Sequence, residues 1–137
     1  MTAITVGTAR RKRNTNAMTT AKYTATEAIV EGALVVVSGV NGLAYNGTDR
    51  AGCKFVGIAA SNTASGSIVT TEYGHEELIA CATSFVVSGV GTLATLADNN
   101  TVTSNGSTYD IPVGEVMEAP SATTCWVGVR KLGAATT

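Results

Sequence analysis

Two short runs constrain the fold more than any other feature of this chain. Val35-Val36-Val37-Ser38-Gly39-Val40 is nearly repeated fifty positions later as Phe85-Val86-Val87-Ser88-Gly89-Val90. β-Branched side chains suit a pleated, half-buried surface, and a glycine after such a run marks a turn. Each run is followed by a Val-Gly pair, Val56-Gly57 in the first half and Val113-Gly114 in the second. The halves therefore align as a Val-rich strand, a hairpin turn, a Val-Gly strand, a loop and a closing strand. Strand signals recurring every 8 to 12 residues suit a sandwich or barrel. The expected fold is all-β: a single-domain antiparallel β-barrel or β-sandwich, jelly-roll-like, with two pseudo-repeated halves.

The strands can be placed from turn chemistry. Ala33–Ser38 is apolar without alternation, so this strand is expected to be covered on both faces. Asn41-Gly42 reads as a type I′ hairpin turn, and Asn105-Gly106 as a second of the same kind. Gly57 inside Cys53–Ala60 implies a bulge or a close backbone approach. Pro112 and Pro120 bracket a strand at positions where a missing donor does least harm. His75–Ala82 carries helix formers but is short and flanked by strand signals, and it is read as a strand. Ile4 and Val6, alternating with Thr5, read as a short strand. Trp126 reads as a core anchor.

Charge is distributed unevenly. Arg10, Arg11, Lys12 and Arg13 form one block, whereas residues 14–129 hold three basic and ten acidic side chains. Residues 1–26 are thus expected to be an extended basic arm, mobile in solution and ordered on an acidic protein surface. The body would span residues 27–133, with a flexible tail at 134–137. The basic block has no interleaved aromatics for base stacking, and an acidic body repels phosphate, so nucleic acid is not the expected partner. No apolar run reaches the roughly 18 residues of a membrane span, and the N-terminus lacks the apolar core of a secretory signal, so no membrane association is expected.

No constellation of catalytic residues is evident. Cys53, Cys81 and Cys125 are widely spaced and read as buried small hydrophobes in a chain folding under reducing conditions. His75 is the only histidine, and position 79, where a zinc-protease helix needs a second one, is Ile. His75 is therefore expected to be an exposed turn residue. Glu115 and Glu118 fall on opposite faces by strand alternation. The Asn-x-Ser/Thr matches at Asn46, Asn99 and Asn105 read as turns. No cofactor, metal or enzymatic activity is expected.

Several segments resemble the head decoration (capsid cement) proteins of tailed bacteriophages. These are Gly32–Val37, Lys54-Phe55-Val56-Gly57-Ile58-Ala59-Ala60, Ala64–Thr70, Ile111-Pro112-Val113-Gly114 and Trp126–Val129. The resemblance covers residues 28–132. It implies a non-enzymatic β-barrel or sandwich, dimeric or trimeric, bound outside a phage shell to the major capsid protein. The chain would be found in the host cytoplasm before assembly and on the outer capsid surface of the virion afterwards. The long arm departs from the family pattern, and Arg10, Arg11, Lys12 and Arg13 are the candidate capsid-binding residues. The alternative is a secreted or surface β-sandwich binding module, a carbohydrate-binding or fibre domain.

Overall fold

A computed structural model describes residues 3–82, 91–104 and 109–130. The strands are β1 (Lys12–Arg13), β2 (Thr19–Thr24), β3 (Leu34–Ser38), β4 (Ala44–Asn46), β5 (Cys53–Ala59) and β6 (Ile68–Tyr73), followed by β7 (Glu76–Cys81), β8 (Leu93–Leu96), β9 (Thr101–Thr103), β10 (Pro112–Glu118) and β11 (Thr124–Val129). The fold is all-β, as the composition and turn spacing predict. His75–Ala82 resolves as the strand β7.

The duplication is carried by topology. The first unit has strand order β2-β6-β5-β3-β4 and the second β7-β11-β10-β8-β9, the same arrangement advanced by five strands. The second unit closes into a five-stranded barrel through parallel pairing of β7 with β9, Ala80 with Thr101 and Cys81 with Val102. The first unit has a single parallel bridge in the corresponding place, Ala25 with Ala44. Backbone hydrogen bonds repeat as well. Ala25 N donates to Ser67 O at 2.9 Å, and Cys81 N to Thr123 O at 2.8 Å. Thr26 N donates to Ala44 O at 3.0 Å, and Ala82 N to Val102 O at 2.8 Å.

The period differs from the sequence reading. Gly57 matches Gly114, and the counterpart of β3 is β8 rather than Phe85–Val90, which lies outside the described residues. Similarity between two β-rich hexapeptides fixes no register. The Val-Gly pairs do, because each sits at a bulge. Val35 faces Gly57 while Val36 faces Phe55, leaving Val56 as the extra residue. Pro112 faces Thr95 while Gly114 faces Ala94, leaving Val113 as the extra one. A bulge bends and twists its strand, a means of curling a short sheet towards closure. The glycines are required by close approach. A Cβ on Gly57, whose φ is +130°, would lie 2.7 Å from Glu72 O, and one on Gly114 would collide with Gly128 O.

The two units share a core. Val35 and Val37 point into the first unit with Ile29, Val56 and Val69. Leu34 and Val36, on the other face of β3, pack with Phe55 and Ile58 against Ile79, Leu96, Val113 and Val127 of the second unit. Covering β3 on both faces explains its unbroken apolar run.

Three expectations are corrected. Residues 1–26 are not an arm detached from the body: β2 pairs along six residues with β6, from Thr19 with Tyr73 to Thr24 with Ile68. The Thr-rich stretch lacked an apolar periodicity because β2 is an edge strand with mostly exposed side chains. Ile4–Val6 is not a strand; the Asn99 amide takes the backbone of Ile4 instead, with Ile4 N to Asn99 Oδ1 at 2.9 Å and Asn99 Nδ2 to Ile4 O at 3.0 Å. Asn99 is accordingly a buried bracing residue. At Asn41-Gly42 only the glycine has positive φ. Gly42 N donates to Ser38 O at 2.9 Å and Asn41 Oδ1 accepts from Leu43 N at 3.0 Å, so the turn is longer than a two-residue type I′ loop. The Asn105-Gly106 turn lies outside the described residues.

Candidate functional site

The charged block and the acidic body meet within the molecule. β1 pairs antiparallel with β7, Lys12 opposite Glu77 and Arg13 opposite Glu76, and Leu78 N donates to Arg11 O at 3.0 Å. Alternation along an extended strand then sorts the four cations into two pairs.

Arg10 and Lys12 turn towards Glu77. The Glu77 side chain is fully buried, 3.8 Å from Arg10 Nη1 and 3.9 Å from Lys12 Nζ. Arg10 is itself only 6% exposed; it donates to Gly32 O and, at 2.6 Å, to Asn100 Oδ1. Burial lowers its pKa, and Glu77 and Asp98 act in the opposite direction. Glu77 Oε1 lies 2.7 Å from His75 Nε2, and that ring is also buried. His75 is therefore not an exposed turn residue. It stands two positions from Glu77, on the same side of β7, and points inward with it. Among the described residues, His75 Nδ1 and Glu77 Oε2 have no hydrogen-bond partner.

Arg11 and Arg13 turn towards Trp126. The Arg13 guanidinium lies 4.2 Å from the ring centroid and that of Arg11 5.8 Å. Arg13 also donates to Glu76 Oε1 at 2.8 Å and Glu118 Oε1 at 2.9 Å. Its pKa is raised, chiefly by the bond to Glu118. Trp126 is 7% exposed, the anchor the sequence predicts, but part of its cover is the basic block.

Residues 10–13 thus form a strap across β7; beyond it, a groove of about 350 Å³ is lined by Asn14, His75, Glu76, Met117, Gly128 and Arg130. Its charges are paired: Arg130 Nη2 donates to Glu115 Oε1 at 3.1 Å, and Glu76 is held by Arg13, with a further bond from Asn14 Nδ2 to Glu76 Oε2. Among the described residues no three His, Cys, Asp or Glu side chains converge as a metal site would require. Cys53, Cys81 and Cys125 are free thiols in the core, as their wide spacing implies. Cys81 and Cys125 share a hydrogen bond that lowers the Cys81 pKa and raises that of Cys125.

Of the candidate capsid-binding residues, Arg10 is thus unavailable to an outside partner in this fold, and Arg13 is engaged by two carboxylates and Trp126. The sequence reading missed Glu76, Glu77 and Trp126 as the block's partners. Alternation sorts adjacent Lys12-Arg13 and adjacent Glu76-Glu77 alike once the two strands are paired, but nothing local in the sequence says that they pair.

The sequence matches no family model and no curated protein. Among solved structures, the chain is similar to the N base of head fiber gp8.5 of bacteriophage phi29. The TM-score is 0.47 at 12% identity, over 85% of this chain and 98% of that one.

Proposed function

We propose that this chain is a decoration, or cement, protein of a tailed-phage head. In this reading it binds the outer surface of the assembled shell and stabilises contacts between major capsid protein subunits. Its role is adhesive and not enzymatic. The observation that carries the proposal is where the family-like segments fall. Gly32–Val37, Lys54–Ala60, Ile111–Gly114 and Trp126–Val129 contain or overlap β3, β5, β10 and β11. In the first unit β3 pairs with β5, and in the second β10 pairs with β11, with the shared core between them. The resemblance therefore describes one continuous scaffold.

A body of this kind suits a role repeated over a capsid lattice, where modest contacts add through multiplicity. With Arg10 and Arg13 engaged internally, shell contacts fall to outward features of the body. Val40 at the tip of the β3–β4 loop is 93% exposed and Ile68 at the start of β6 is 57% exposed. The carbohydrate-binding alternative calls for an exposed aromatic platform. Phe55 is buried, Trp126 lies under Arg13, and Tyr45 lies 4.6 Å from the Arg50 guanidinium.

The test is co-sedimentation of the purified chain with expanded heads of the phage that encodes it, prepared without it. Saturable binding at a stoichiometry set by the lattice, with a higher temperature of shell disruption, is the expected result. Failure to sediment with the shells overturns the proposal.

A further inference from the structure

The internal duplication exposes an unfilled position. In the second unit the outer edge of β7 is covered at Glu76 and Glu77 by β1. The topological counterpart of β7 is β2, and Thr20 and Ala21 stand where Glu76 and Glu77 stand. Among the described residues no strand covers this edge of β2, whose only ladder partner is β6.

Its backbone groups point outward in a defined pattern. Ala25 N donates to Ser67 O on the β6 side, whereas Thr26 N donates to Ala44 O on the opposite side. Alternation back along the strand turns Thr20 and Lys22 away from β6. Lys22 N is the counterpart of Leu78 N, which donates to Arg11 O in the second unit.

We infer that the outer edge of β2 pairs with β2 of a second copy of this chain, joining two first units into one continuous antiparallel sheet about a two-fold axis. Outward-facing residues must meet outward-facing residues for a ladder to form. The registers that satisfy this near the strand centre pair Thr20 with Thr20, Lys22 with Lys22, or Thr20 with Lys22. Lys22 opposite Lys22 is excluded by like charge. Pairing Thr20 with the partner's Lys22 puts Ala21 on the axis, where antiparallel strands approach most closely. Thr20 is flanked on its other side by Glu72 of β6. In this register each lysine therefore points along a row ending in the other copy's Glu72, an arrangement of complementary charge. The basic segment of a second copy suits the slot less well, because the acids it meets on β7 are replaced here by Thr20 and Ala21.

The pairing is independent of any shell and is tested without one, so its failure leaves the capsid reading standing. Sedimentation equilibrium or light scattering of the full chain from micromolar to millimolar concentration is expected to show a reversible dimer. Lys22→Pro removes an outward N–H while sparing the bonds to β6, and is expected to weaken dimerisation by about tenfold or more. Should that variant misfold, Lys22→Glu serves, since it sets two acids in each row. Lys22→Glu is expected to weaken the dimer several-fold, and Lys22→Glu with Glu72→Lys to restore it. A monomer at every concentration overturns the inference. So does a dimer indifferent to Lys22→Glu, or one that the double exchange does not restore.

Discussion

The Arg10 guanidinium lies 3.8 Å from the Glu77 carboxylate, and both side chains are withdrawn from water, 6% and 0% exposed. The residues are distant in sequence, one on the strap ahead of the first unit and the other inside a strand of the second. Removing one partner strands the other as an uncompensated buried charge. Glu77→Ala is therefore expected to cost about 3–5 kcal/mol, while the paired exchange Arg10→Met with Glu77→Leu costs far less. Urea unfolding of the parent and these two variants checks both. Equal losses for the single and double variants would show that the pair itself holds little.

The strap can be followed through Trp126, the only tryptophan in the chain. Arg13 lies over its ring and bridges to Glu76 and Glu118, contacts at the surface that are individually modest. Arg13→Ala is expected to cost about 1 kcal/mol and to shift tryptophan emission to the red as water reaches the ring. An unchanged spectrum would place the ring's cover elsewhere.

Those two pairs also show what was legible in the sequence. The all-β fold, the two-faced burial of β3 and the glycine requirement at Gly57 follow from local patterns: an unbroken apolar run, an interior glycine and closely spaced turns. The charge imbalance announced that the basic block has an acidic partner. It could not say that the partner is the same molecule, because the pairing of Lys12 with Glu77 is a long-range contact with no local signal. His75 misled for the same reason. Beside a glycine and two glutamates it looks like a turn residue, and only the inward side of β7 makes it a buried partner of Glu77. The period of the repeat was misjudged because valine-rich hexapeptides match cheaply, whereas the strand order that defines the repeat appears only after pairing.

Two neighbouring glycines should behave oppositely. A Cβ on Gly114 would collide with Gly128 O, whereas one on Gly128 would meet nothing closer than Met117 Sδ at 3.6 Å, an ordinary contact. Gly114→Ala forces the β10 and β11 backbones apart and is expected to cost about 3 kcal/mol. Gly128→Ala is expected to lie within about 0.5 kcal/mol of the parent. Thermal unfolding of the two single variants separates them, and equal tolerance would mean that the bulge at Val113 can shift to make room.

The thiol pair predicts an alkaline limit. Cys125 is buried and hydrogen-bonded to Cys81 so that its pKa is raised, and burial raises Cys53 as well, while Cys81 is lowered. A thiol whose folded pKa lies above its unfolded value stays neutral in the fold after the unfolded chain has begun to ionise. The unfolded state then binds fewer protons than the native one, so stability falls as pH rises. The contribution of Cys53 and Cys125 is present below the ordinary thiol range and is lost through it and above; the lowered Cys81 acts in the opposite sense. The net expectation is a urea midpoint that declines between about pH 8 and pH 10. In Cys125→Val, which keeps the apolar volume and removes the titrating group, the decline should be shallower. A midpoint equally pH-dependent in the parent and in Cys125→Val would assign the loss to other groups.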